Sequence, residues 1–226
     1  MTKDEFLEAL DALVAEKHLL KHPFYVLWNQ GKLTKENLRE YAISYYPQVA
    51  AFPRYVSGVH SGCADAALRQ ELLENLIEEE RGGSNHPALW RRFAAALGAR
   101  EEDLRPAART PEVSEAVAEF LRTTREGSLP EGLAALYVYE SQIPEIAKTK
   151  REGLAAYYGI EDAEAVRFFT VHEEADLWHR RVEREALGRA AQTEQDQEHA
   201  LAAARRCLEV LNRALDGVMR ENALAA

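Results

Sequence analysis

Apolar residues recur at three- and four-residue spacing along nearly the whole chain, the period of an α-helix with one buried face. Phe6, Leu7, Leu10, Leu13 and Val14 set the pattern behind a capping box at Thr2-x-x-Glu5. His22-Pro23 ends this run and opens another, which Asn29-Gln30-Gly31 stops. Thr34 caps a third run through Leu38, Tyr41, Ala42 and Tyr45, where Pro47 and Pro53 are expected to kink or divide the helix. A helix follows from about residue 65 to 80. Gly82-Gly83-Ser84-Asn85 breaks it, and Pro87 opens the segment carrying Leu89, Trp90 and Phe93. Residues 101–111 form a connection. Further helices are expected at 112–125, 131–158 (bent at Pro144), 161–187 and 192–222. Alternating β-branched runs are few, and there is no repeat or low-complexity tract. The pattern predicts an all-α bundle of seven or eight helices in one domain spanning 1–226.

Composition narrows the function. The chain has 226 residues, 46% of them hydrophobic, enough for a large buried core. Its net charge of −10 argues against nonspecific nucleic-acid binding and against an anionic membrane surface. No apolar run reaches the roughly 18 residues of a spanning helix. Met1-Thr2-Lys3-Asp4-Glu5 lacks the basic start of a secretory signal, so a cytoplasmic location is expected. Cys63 and Cys207 give neither a disulfide framework nor zinc-finger spacing, and read as two buried thiols in a reducing compartment.

The chemistry concentrates in His172-Glu173-Glu174-Ala175-Asp176-Leu177-Trp178-His179. His172, Asp176 and His179 stand at i, i+4 and i+7, on one stripe of a helix. Imidazole and carboxylate are ligands for divalent iron, manganese or zinc. Glu140 interrupts the apolar stretch Leu136 to Pro144, and a buried acid calls for a partner or a metal. Glu79 and His86 form a second pair; the glycine break places His86 at the start of the next helix and leaves its direction open. Together Glu79, His86, Glu140, His172, Asp176 and His179 are too many ligands for one tetrahedral zinc. They suit two metals bridged by carboxylates.

Each residue has a plainer reading. Glu79 belongs to the acidic run Glu78-Glu79-Glu80, which alone reads as solvent-facing. His86 beside Asn85 and Pro87 alone reads as a helix cap. The His172 stripe could be a surface face paired with Arg180, Arg181 or Arg184. His18, His22, His60 and His199 lack comparable spacing and read as structural.

Three segments carry a family resemblance: Glu78-Glu79-Glu80 through Asn85-His86-Pro87, Tyr139-Glu140-Ser141-Gln142-Ile143-Pro144-Glu145-Ile146-Ala147-Lys148-Thr149-Lys150, and Phe169-Thr170-Val171-His172 to His179. The chain resembles the bacterial relatives of the chlamydial protein associating with death domains. These are haem-oxygenase-like di-metal oxidases, similar in fold to TenA and to the PQQ-synthesis protein C. The resemblance implies a haem-oxygenase-like helical bundle holding two divalent metals (Fe/Fe or Mn/Fe), with all six ligand positions filled and Glu79 chosen over its neighbours. It further implies O₂ and a reductant as partners, and p-aminobenzoate production by oxidative cleavage of the protein's own tyrosine with a lysine as amino donor. The matching positions are Tyr25 and Lys150, and Tyr139 would be a second redox-active aromatic. Phe168 departs from the tyrosine expected there, which removes any radical route through that position. The expected assembly is a homodimer.

The residues alone read otherwise: Tyr25 and Tyr139 as core aromatics, Lys150 as part of a solvated basic turn. Other functions for such a chain are an oxidase of an external small molecule, a cofactor-free oxidase, a thiaminase-like hydrolase (for which neither cysteine has a supporting motif) or a helical interaction module.

Overall fold

Caps written into the sequence start most of the helices. In the computed structural model, residues 1–105 and 107–224 are described, apart from the side chains of 174–177. Thr2 caps α1 (Lys3–Glu16), His22 caps α2 (Pro23–Asn29) and Thr34 caps α3 (Lys35–Gly62). Asp65 caps α4 (Ala66–Glu80), and Asn85 caps α5 (His86–Ala96). There follow α6 (Pro111–Glu126), α7 (Leu129–Glu140), α8 (Ile143–Gly153), α9 (Arg167–Ala190) and α10 (Glu194–Glu221). Side-chain oxygens, and at His22 the ring Nδ1, accept from the otherwise orphaned first N–H groups of a helix, which fixes where it begins.

The all-α expectation holds, but there are ten α-helices among the described residues rather than seven or eight. The extra elements have identifiable causes. The expected 131–158 helix divides instead of bending. A proline ring clashes with the carbonyl four residues earlier, here Glu140, so α7 ends there. The next helix restarts with Pro144 in its first turn, where a missing N–H is harmless. The helix expected from 161 begins only at Arg167, because Asp162 Oδ1 accepts from the Glu164 and Ala165 amides and folds that stretch into a turn. Conversely, Pro47 and Pro53 do not divide α3, which runs unbroken for 28 residues. Both prolines are buried on a helix packed against α4, α5 and α6, and that packing outweighs a penalty of about 3 kcal/mol for each.

α10 packs on α6 and α7, and α9 on α7 and α8, so α7 is buried from Pro130 to Glu140 save for Glu131. At the α7–α8 break, Gln142 is fully buried with both ends of its amide used. Oε1 accepts from the Leu19 amide and Nε2 donates to the Val138 carbonyl. The break therefore has a fixed shape, with Glu140 on one side of it and Lys150 two turns beyond. Cys63 and Cys207 are both buried and unbridged. No helix among the described residues is long and apolar enough to cross a membrane.

Candidate metal centre

Glu79 lies on the last turn of α4, and the acidic run does not share one environment. Glu78 and Glu80 are exposed, whereas Glu79 is 4% exposed. After the glycine break the chain reverses into α5 and turns His86 back onto Glu79, with Nδ1 2.6 Å from Oε1. From α9, the His172 ring stands 4.1 Å from that of His86, centroid to centroid. His172 Nδ1–H donates to the Phe168 carbonyl at 2.5 Å, which sets the tautomer and presents Nε2 to the site. Donor atoms of Glu79, His86 and His172 all lie within 4.8 Å of one another.

A second group adjoins the first. Glu140 is buried at the end of α7, and Asn75 Nδ2 donates to its Oε1 at 3.0 Å. His179 Nδ1 is 3.6 Å from the same oxygen. Glu183, one turn further along α9, is buried and hydrogen-bonded to Glu140. Asp176 falls on the same helix, but its side chain lies outside the described residues. The surface reading of the stripe fails for both histidines, which are buried, and Arg184 pairs instead with Asp11.

The electrostatics suit a dication. Burial, then the nearby Glu140, pushes the Glu79 carboxyl well above its usual range. Burial also acts to raise Glu140, but hydrogen bonds with Glu183 and His179 outweigh it and hold Glu140 down at about 2. Two adjacent buried carboxylates without a cation cannot both ionise. Burial pushes His86 down to about 4, so its ring is neutral near pH 7, as a ligand must be. Imidazoles and carboxylates, with Asn75 donating to Glu140 and the Phe168 carbonyl accepting from His172, form a set that fits iron or manganese.

Against His172 lies a small cavity of about 30 Å³. Tyr25, Tyr45, Tyr139, Lys150 and Phe168 also line it. Lys150 does not sit on a solvated turn: it is 4% exposed, while Lys148 points outward. Its Nζ lies 4.9–5.9 Å from the ring centroids of Tyr25, Tyr41, Tyr45, Trp90 and Phe169. Nζ is hydrogen-bonded to the Tyr41 hydroxyl at 2.5 Å, and the Tyr41 and Tyr25 hydroxyls share a further hydrogen bond. Burial lowers Lys150 to about 7.

Sequence reasoning missed Asn75, Glu183, Tyr41 and Tyr45. Two had a signal. Glu183 extends the 172–176–179 stripe by one more turn, and Asn75 sits one turn before Glu79. Tyr41 and Tyr45 carried only the i, i+4 spacing of core aromatics.

Residues 39–212 match a family model described as iron-containing redox enzyme. The chain is 42% identical to a 4-aminobenzoate synthase of Nitrosomonas europaea over 227 residues, covering 96% of this chain and 92% of that one. It is 47% identical to a 4-aminobenzoate synthase of Chlamydia trachomatis over 179 residues, 79% of this chain and 78% of the other. A solved CADD-like protein of unknown function from Nostoc punctiforme superposes with a TM-score of 0.76 at 18% identity, covering 97% of each chain. That likeness carries the fold alone.

Proposed function

This chain belongs to the haem-oxygenase-like family of iron-containing redox enzymes, and we propose that it makes p-aminobenzoate from its own Tyr25, with Lys150 as amino donor. One observation carries the reading. His172, one member of the Glu79–His86–His172 cluster, lines the same small cavity as Tyr25, Tyr139 and Lys150. Relatives named for 4-aminobenzoate synthesis, another name for the same product, supply the reaction.

The ring and the amine are already inside, so no binding step is needed to bring them together. Lys150 is half deprotonated near neutral pH, which gives its nitrogen a lone pair. The aromatic box excludes water from it.

Glu79, His86, Glu140, His172, Asp176 and His179 would hold two divalent metals, Fe/Fe or Mn/Fe. Bound there, the metals supply reductive activation of O₂, with further electrons from an external reductant. The residues contribute the rest. The carboxylates offset metal charge. The Phe168 carbonyl and Asn75 orient their ligands. The Tyr41 hydroxyl holds Lys150 and Tyr25 together on one oxygen.

The test is mass spectrometry of intact protein and peptides after loading with iron, or iron plus manganese, and exposure to reductant and O₂. The expected result is mass loss at Tyr25 matched by one equivalent of p-aminobenzoate or less. Several turnovers with Tyr25 intact would instead make the protein an oxidase of an external molecule.

A further inference from the structure

Resting on the reading that Tyr25 is the ring consumed, we infer that Tyr45 is the phenol that relays oxidation from the metal side of the cavity to Tyr25. The oxidant would arise beside Glu79 and Glu140, and Tyr139 immediately precedes Glu140 in sequence and lies close enough to feel the Glu79 charge. Tyr25 lies on α2, hydrogen-bonded to Tyr41, with Lys150 Nζ 5.4 Å from its ring centroid. Tyr45 stands between these ends. Its hydroxyl shares a hydrogen bond with that of Tyr139. Its ring stacks on Tyr41, one helical turn away, with centroids 5.5 Å apart and planes 28° apart. Tyr25, Tyr45 and Tyr139 all line the one cavity.

The competing routes are poorer. Phe168 has no hydroxyl and cannot pass a proton. Trp90 is within 5.9 Å of Tyr45 and is itself oxidisable, but its indole N–H donates to the Ala42 carbonyl. A carbonyl cannot carry that proton away, so oxidising Trp90 would leave a cation in an apolar box. The phenols differ because their hydroxyls bond to one another. Burial raises all of them, Tyr45 to about 12, so none is a phenolate near pH 7. Electron and proton must therefore leave together, so each step needs a phenoxyl acceptor the proton can reach, along the Tyr45–Tyr139 hydrogen bond or across the cavity that Tyr25 and Tyr45 both line.

The balance is as follows. Metal held by Glu79, Glu140 and their histidine partners would, with dioxygen as the ultimate oxidant, accept one electron and one proton from Tyr139. The Tyr139 phenoxyl takes the hydroxyl hydrogen of Tyr45 along their shared hydrogen bond and returns to a phenol. The Tyr45 phenoxyl then gains one electron through the stacked Tyr41 ring and one proton across the shared cavity. Tyr25 loses one of each and becomes the phenoxyl radical that is cleaved. No charge accumulates on the relay.

Two variants test this in full-length, iron-loaded protein: Tyr45→Phe, and 3-aminotyrosine in place of Tyr45. Each is given reductant and O₂, with freeze-quenched electron paramagnetic resonance, Tyr25 peptide mass and p-aminobenzoate as readouts. Tyr45→Phe is expected to keep wild-type iron content and O₂ uptake and to show a radical on Tyr139. Its p-aminobenzoate should fall to the level of an oxygen-free control. 3-Aminotyrosine, being easier to oxidise, is expected to trap the radical at position 45 with its own spectrum and no loss at Tyr25. Wild-type product from Tyr45→Phe, or product from the aminotyrosine protein without its radical, overturns the relay alone. A wild-type protein that leaves Tyr25 intact overturns the underlying reading and the relay with it.

Discussion

Lys150→Met is expected to stabilise the fold while abolishing p-aminobenzoate formation. Burial lowers the amine from its ordinary 10.5 to about 7. Between those two values the unfolded chain binds a proton that the folded chain does not, so native stability rises with pH across that window. The penalty of holding the amine inside is therefore greatest at pH 7 and below, and vanishes above about 10.5. At about 1.4 kcal/mol for each tenfold change in proton affinity, it amounts to about 4 kcal/mol at pH 7 and about 2 kcal/mol at pH 9. Methionine fills similar space without a charge. It forfeits the hydrogen bond to Tyr41, worth about 1 kcal/mol. The net expectation is a gain of about 3 kcal/mol at pH 7, shrinking to about 1 kcal/mol at pH 9. Urea unfolding of metal-free wild type and variant at pH 7, 8 and 9 measures the gap. A variant less stable than wild type at pH 7, or a gap that does not change with pH, would refute a buried neutral amine.

Three further outcomes are expected. Glu79→Gln and His172→Ala should lose iron, read by metal analysis, while Glu79→Gln keeps the metal-free melting temperature, because an amide avoids the penalty of a buried carboxyl beside Glu140. Single-turnover p-aminobenzoate yield should climb as pH rises through about 7, because Lys150 is protonated below that value and loses its lone pair; a flat profile from pH 6 to 8 would count against Lys150 as the donor. In Gly153→Ala the new Cβ would stand 2.6 Å from Trp28 Nε1. This overpacking should remove about 1–3 kcal/mol of stability and shift the helix bearing Tyr25. Yield should fall with iron content unchanged.

Much of this could be read from residue order. The caps at Thr2 and Thr34 and the glycine break after Glu80 each act within a few residues, and each fell where expected. The His172–His179 stripe was readable because one helix displays it. What escaped depended on contacts between distant segments. Packing on three sides keeps α3 whole through two prolines, and no local rule reports that. The direction of His86 depends on how the chain reverses after Gly83. Lys150 looked solvated beside Lys148 and Arg151, yet it sits on the inner face of α8, boxed by aromatic rings from α2, α3, α5 and α9. Glu183 was within reach of the same spacing rule that found His179. Tyr41 and Tyr45 were not, because their hydroxyl partners come from other helices.

Tyr25 is 2% exposed, wedged edge-on against Phe24 and facing Lys150. A molecule that has surrendered this ring has truncated one of its own core side chains. Comparable large-to-small core changes remove about 3–5 kcal/mol, from a total that for most domains is about 5–15 kcal/mol. Spent protein should thus open more often than fresh protein and be cut first by a protease that samples open states. Age would be written into the fold as a hole, and ordinary quality control would clear exhausted copies without a dedicated signal.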